Sequence, residues 1–255
     1  MSTVNVNNIE SATGGLINIP SGNSLRVDGV DINSSTLPPS PEPSNQGKYI
    51  YSDGSTTPIF NVVGPKSIQI FNSSGTWVKP AGISKILVRL VGGGGGGSGH
   101  GESGGAGGYS EKIIDVSSIS TVNVTIGTGS TSGTYYSGNG GAGGTTSFGS
   151  YLSATGGNGA NSSFQHCGGL PGVGSGGDLN LYGGGGTGHY GYTGIGGASH
   201  FGGSGASGHP QGGDYSHNHD DRSAPGGGGC GGWRNGYGSL GANGKDGIVV
   251  IYEFS

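Results

Sequence analysis

Six consecutive glycines, Gly92 to Gly97, follow without a break on the run Lys85-Ile-Leu-Val-Arg-Leu-Val91. That run is rich in β-branched residues and leucine, with only Lys85 and Arg89 charged, and it reads as a strand buried on both faces. Pro80-Ala81-Gly82 ahead of it supplies turn chemistry. The glycines behind it have no side chain to bury. A chain joining these two materials has to build a small β core and hang glycine segments from it.

The same junction recurs. Glycine blocks cover 92–97, 104–108 and 138–144, and the stretch 156–244 is glycine-rich almost throughout. Glycine is 65 of 255 residues, against a usual share of about 7%, so side-chain packing alone cannot hold the chain. There is no Gly-X-Y period, which excludes collagen. Only 9% of residues are charged, unlike the usual composition of disordered chains. Apolar residues gather in 67–155 and 247–254, enough for one apolar core.

The net charge of −4, without a basic stripe, argues against a nucleic-acid partner. The N-terminus lacks a basic start and an apolar h-region, so synthesis in the cytoplasm without a signal peptide is expected. No apolar run approaches the ~20 residues that span a bilayer, and no membrane insertion is expected. The two cysteines, Cys167 and Cys230, both sit in glycine-rich sequence. A disulfide between them would close a long loop, whereas cytoplasmic synthesis favours the thiols.

The order of segments suggests three parts. Residues 1–35 hold the short extended pieces 15–20 and 24–30, too short to form a stable sheet alone. Residues 36–64 begin with a proline-rich, semi-rigid linker at 36–44 and continue with a hairpin at 45–54, turning at Asp53-Gly54. The third part, 65–255, reads as strands at 67–71, 76–78, 85–91, 110–115, 121–126, 145–148, 151–155 and 247–252. Short strands with glycine turns and no helical period predict an all-β fold, a sandwich with long glycine-rich loops.

The insertion 156–244 is too long for an ordinary loop. Either it is disordered, or glycine chains lie side by side as polyglycine II-like helices that satisfy their backbones mutually. Bulky residues interspersed singly favour the ordered form. Trp77 and Phe148 are expected in the core.

Trp77-Val-Lys-Pro-Ala-Gly-Ile, followed by Ile86-Leu-Val-Arg-Leu-Val-Gly-Gly-Gly-Gly, resembles the start of the glycine-rich domain common in bacteriophage tail fibres. The likeness continues through Gly107-Gly-Tyr109, Val122-Asn-Val-Thr-Ile-Gly127, Gly143-Gly-Thr-Thr-Ser-Phe-Gly149 and Ala154-Thr-Gly-Gly157 to the closing Gly247-Ile-Val-Val-Ile-Tyr252. Residues 9–35 and 45–54 are similar to linker modules of phage fibre and neck proteins. The resemblance implies a homotrimeric virion fibre in the tail or capsid, joined to other virion proteins through its N-terminus. Its distal glycine-rich tip would touch a host cell-surface glycan or outer-membrane protein. In some T-even-like phage adhesins such tips display variable loops on a polyglycine lattice.

Several residues invite a chemical reading. His217 and His219 alternate within a polar run, 209–221, so in an extended chain they project to one side. With nearby aspartates they suit a divalent metal or, more simply, polar contacts at a loop tip, and no metal is assigned. Tyr190, Tyr192 and Trp233 stand singly among glycines, as flat rings that stack on sugars or apolar patches do. These five residues are the expected receptor-binding set. Phosphate-loop spacings occur only by glycine abundance, and Glu102 and Glu111 form no defensible glycosidase pair. No catalytic residue and no cofactor is expected. The expected function is attachment of a phage virion to a host receptor, with a structural or decoration fibre as the alternative and a surface-degrading enzyme as the least favoured class.

Overall fold

A computed structural model describes residues 24–27, 30–33, 48–51, 59–62, 64–134, 138–161, 167–188, 194–203, 223–232 and 240–255. The chain separates into two compact units, Met1–Gly64 and Pro65–Ser255. In the first, β1 (Ser24–Val27) pairs antiparallel with β2 (Val30–Asn33), and β3 (Lys48–Tyr51) with β4 (Ile59–Val62). The stretch 24–30, read from sequence as one extended piece, is therefore divided between two strands. The dipeptide between them is Asp28-Gly29, a pair favoured in two-residue hairpin turns. The partner of β3 lies beyond the expected hairpin. Asp53-Gly54, the 15–20 piece and the 36–44 linker fall outside the described residues.

The second unit is all-β, built on two antiparallel sheets with no helix among the described residues. One sheet has the order β12-β11-β10-β9-β6, where β6 is Gly75–Val78, β9 Thr121–Thr125, β10 Thr146–Phe148, β11 Leu152–Ala154 and β12 Gly174–Ser175. The other runs β13-β8-β7-β14-β5, with β5 Ser67–Phe71, β7 Lys85–Val91, β8 Tyr109–Asp115, β13 Leu179–Leu181 and β14 Ile248–Phe254. Alternation decides what faces the core. Val122 and Val124 of β9 point in, as do Ile86, Val88 and Leu90 of β7. Trp77 and Phe148 are both fully buried and meet edge to face at 5.9 Å.

The sequence expectation for β7 needs correction. Leu87 and Arg89 are only half buried, because an antiparallel sheet has one face on the core and the other open. A buried carboxylate also sits among the apolar side chains. Glu253 accepts hydrogen bonds from Trp77 Nε1 and Gln69 Nε2 at 2.8 Å each, and from Ser67 Oγ.

Beyond the strands the chain builds a second core from backbone alone. The segment 92–99 continues β7 away from the sheets, and 102–108 returns to β8; both are buried along their length. Gly92, Gly95 and Ser98 donate to the carbonyls of Gly108, Gly105 and Glu102 at 3.0, 2.9 and 2.8 Å. Gly93 and Gly96 donate to Gly144 and Gly141, both at 2.9 Å, and Gly94 and Gly97 to Lys245 and Ala242 at 2.8 and 2.9 Å. The carbonyls of Gly93, Gly94 and Gly95 accept from Gly157, Ser130 and Gly229, and three residues later Gly96, Gly97 and Ser98 accept from Ala160, Gly133 and Gly232. Partners that repeat every third residue mark polyglycine II. The segment touches neighbours on all sides, donating to three antiparallel ones and accepting from three parallel ones.

Glycine is required there for space. A Cβ on Gly92, Gly95 or Gly96 would lie 2.2, 2.1 and 2.1 Å from the carbonyl oxygens of Thr155, Asn158 and Thr131. Positive φ appears only where the path changes, as at Gly101 (φ 114). The hydrogen bonds arrange the lattice in three layers. Segments 138–144, 155–160 and 168–172 form one flank. Segments 128–133, 92–99, 102–108 and 183–187 form the middle, and 240–247, 226–232 and 194–198 form the other flank. The described parts of 156–244 are thus woven into the same lattice as the earlier glycine blocks. They also include β12 and β13, which the sequence reading did not find. Cys230 is buried and Cys167 exposed.

Candidate functional site

Because the lattice repeats every three residues, the rim segments expose one residue in three, except 226–232, which is buried throughout. Thr155, Asn158 and Asn161 are exposed along one segment, and Thr128, Thr131 and Thr134 along another. Leu240, Asn243 and Asp246 do the same on the far side. Between neighbours the rows are in register. Gly143 donates to Gly157 and Asn158 to Leu170, at 2.9 and 2.8 Å, so Ala142, Asn158 and Leu170 stand level. One rung nearer the sheets stand Thr145, Thr155 and Val173, and one rung further out Asn139, Asn161 and Cys167.

The lattice has two distinct ends. Outward-running segments start where β7, β9, β11 and β13 stop, with 226–232 starting after Pro225, and inward-running ones deliver the chain to β8, β10, β12 and β14, with 194–198 leading to 199–203. The end remote from the sheets therefore holds the 99–101 turn and the places where the chain leaves and re-enters the lattice at 134 and 138, 161 and 167, 188 and 194, and 232 and 240. Thr187 donates to Ile195 and Gly194 to Gly101, at 3.0 and 2.7 Å, while a bridge joins Thr134 to Leu240. Ser98 Oγ donates to the buried Glu102 carboxylate at 2.5 Å, which closes the central turn.

None of the five expected receptor residues lies within the described residues, but their exit points are defined. Tyr190 and Tyr192 fall between Gly188 and Gly194, and Trp233 follows Gly232, so both connections start at the remote end. His217 and His219 fall between Gly203 and Ser223. There the anchors lie beside the sheets: His200 stacks on Tyr109, the first residue of β8, at 3.6 Å, and Ser199 Oγ donates to the Pro225 carbonyl at 2.5 Å. Gly203 and Ser223, which bracket the histidine run, therefore lie at the opposite end of the lattice. The remote connections also carry Tyr135, Tyr136 and Phe164, which the sequence reading did not single out. All three lie outside the described residues.

One charged cluster lies on the outer sheet face. Arg89 Nε lies 3.0 Å from Glu111 Oε2, which also accepts the Tyr109 hydroxyl at 2.5 Å. The Tyr109 hydrogen bond, then Arg89, holds the Glu111 carboxyl below its ordinary range. Burial and the same hydrogen bond push the Tyr109 phenol up. On the lattice side, an open cleft of about 510 Å³ is bordered by Asn72, Ser130, Thr131, Asn243, Lys245 and Asp246. Asp246 Oδ1 accepts the Gly129 amide at 2.6 Å, and Asn243 Oδ1 that of Ser132 at 2.8 Å. These two side chains stand where a further glycine segment would otherwise pair. Among the described residues no group of three or more His, Cys, Asp or Glu is placed to hold a metal. None of them forms a helix long and apolar enough to cross a membrane.

Comparison with known families matches residues 70–253 to the glycine-rich domain. The chain belongs to that family. The match takes in most of both sheets and the whole described lattice, so this glycine-rich domain has two cores, one apolar and one made of backbone. No curated protein matches the chain in sequence.

Proposed function

We propose that this glycine-rich domain is the host-contacting tip of a bacteriophage virion fibre, and that it attaches the particle to a cell-surface receptor. The observation that carries this reading is the gathering of four lattice connections and the 99–101 turn at the end remote from the sheets. A backbone lattice is a rigid stand on which loop sequence can vary at no cost to the core. Tyr190, Tyr192 and Trp233 supply aromatic surface in two of those connections, suited to sugars or to apolar patches of an outer-membrane protein. His217 and His219, in the run bracketed by Gly203 and Ser223, would contribute a second contact. The expected assembly is a homotrimer whose residues 1–64 lead to other virion proteins, multiplying weak contacts. No catalysis and no cofactor enter this mechanism.

Removing 156–244 as a block would take away neighbours of both central segments, so point variants are the proper test. Full-length protein carrying Tyr190→Ser, Tyr192→Ser and Trp233→Ser is compared with the parent for binding to intact host cells, with melting temperature and sedimentation as controls. Loss of binding by a folded protein of unchanged mass supports the reading. Equal binding, or none by the parent on any candidate host, favours a structural fibre of the virion.

A further inference from the structure

The two sheets turn different faces outward. Strand alternation sends Thr76, Thr121, Asn123, Thr125, Ser147 and Ser153 to the outside of the sheet that holds β9, the polar surface an antiparallel sheet ordinarily shows to water. The outside of the sheet that holds β7 is apolar instead. Ile68, Ile70 and Ile113 are 52%, 58% and 63% exposed there, beside Leu87, Val250 and Tyr252. Register fixes three rows across β14, β7 and β8: Phe254, Lys85 and Asp115; Tyr252, Leu87 and Ile113; Val250, Arg89 and Glu111. Ile68 and Ile70 carry the last two rows on to β5. The next row towards the lattice, Val91 and Tyr109, is already buried within the chain, with His200 stacked on Tyr109. Charge on the open rows is sorted by strand. Lys85 and Arg89 stand on β7 and Glu111 and Asp115 on β8, with Leu87 and Ile113 between them.

We propose that this face is covered by the same face of a second copy of the chain, set parallel to the first around an axis that runs along the strands in front of the β7–β8 boundary. Rotation about such an axis keeps every row level and exchanges its sides. Arg89 then faces Glu111 of the copy, Lys85 faces Asp115 of the copy, and Leu87 faces Ile113 of the copy. Every charge meets its opposite and the apolar row meets itself, so the pattern is self-complementary. Turning the copy end for end would instead set Lys85 against Arg89 and Asp115 against Glu111, and like charges on a buried face repel. The charge columns therefore select both the occupant and its direction. Because Arg89 and Glu111 already pair within the chain at 3.0 Å, the contact builds a ring of alternating charges rather than burying lone ones. Two-fold and three-fold axes both keep the rows level, and both point the lattices of all copies the same way. The contact is on the sheets and stands whether or not the remote lattice end recognises a receptor.

The test uses the full-length chain in sedimentation equilibrium over a dilution series, with every variant checked by thermal melting. The parent is expected to sediment as an assembly of copies. Leu87→Asp with Ile113→Asp should raise the concentration at which the assembly half dissociates by roughly tenfold or more. Thr121→Asp with Asn123→Asp, on the outside of the other sheet, is the control and should leave it unchanged. A second measurement reads the charge pattern itself. The double exchange Arg89→Glu with Glu111→Arg keeps a pair within the chain and remains complementary to itself, but opposes like charges when set against the parent. Parent and exchanged chains, co-expressed with different tags, should therefore sort into separate assemblies, whereas two tagged parents mix freely. Three results would overturn the proposal: a monomeric parent, which would leave the face to a different protein; Leu87 and Ile113 variants that associate like the parent; or free mixing of parent and exchanged chains. Mass and sorting are independent of binding to cells, so failure here is distinct from failure of attachment.

Discussion

The amide of Gly95 donates to the carbonyl of Gly105 at 2.9 Å, midway along two antiparallel segments buried without any large apolar side chain. Interior backbone normally finds its partners in strands or helices. Here the partners lie in directions a third of a turn apart, so one segment serves several neighbours and the lattice thickens in two dimensions. Close approach replaces the hydrophobic side chain as the packing rule.

That rule predicts sharply unequal costs for the same substitution. In Gly95→Ala the new Cβ meets the Asn158 carbonyl oxygen at 2.1 Å, and rigid backbone surrounds it. A loss of about 3 kcal/mol or more is expected, or failure to fold. At Gly185 the nearest atoms are 3.9 Å away, so Gly185→Ala should be neutral or stabilise by up to about 1 kcal/mol. Denaturant melts of the two variants check this. Equal effects would mean that the lattice does not pack as described.

Among the described residues Glu253 is the one carboxylate in the apolar core, receiving Trp77 Nε1, Gln69 Nε2 and Ser67 Oγ. Glu253→Ala strands those donors and opens a void, at an expected cost of about 3 kcal/mol. Glu253→Gln keeps the shape and an acceptor for Trp77, and should cost roughly 1 kcal/mol. Guanidinium unfolding followed by tryptophan emission reads both, and a milder effect for alanine than for glutamine would contradict the network.

Asp246 closes an edge of the lattice by accepting the Gly129 amide. Asp246→Ala should cost about 1 kcal/mol, read as a Tm fall of roughly 2–4 °C. It also bares an amide row next to Asn243, so concentration-dependent association is expected by light scattering, much as an uncovered strand edge invites pairing. An unchanged melt and a monodisperse sample would show that water serves that edge equally well.

Glu111 gives a pH signature with a defined sign. Its folded carboxyl titrates below the ordinary value because Tyr109 and Arg89 stabilise the charged form. The stability it contributes is therefore complete above the unfolded value, near pH 4.5, and declines as pH falls through the lower folded value. The melting-temperature gap between parent and Glu111→Gln should be constant from about pH 6 to 8 and shrink as pH falls below the ordinary value of 4.5. A gap that persists in acid would assign the effect to packing of the longer network rather than to charge.

Much of the β architecture was legible in the sequence, because the alternation of Val122-Asn-Val124 or Ile86-Leu-Val88 states directly which side chains face a core. Trp77 and Phe148 were recognisable as core residues for the same reason. Misreadings came where the local signal was neutral. The outward face of β7 carries Leu87, which looks buried until the sheet is known to have an open side. The short β12 and β13 hold too few residues to show a period. The candidate site was legible only as a set of isolated aromatics and histidines, without their grouping.

The sequence by itself determined that the chain has one apolar core, where the strands lie, and that glycine segments must satisfy their backbones somehow. Tertiary structure alone decided which segments neighbour which, that Asn158 and Leu170 stand level, and that Gly188 and Gly232 lie at one end of the lattice while Gly203 lies at the other. The reason is physical. Glycine has no side chain with which to record a partner, so its pairing is written only in hydrogen bonds between residues far apart in the chain.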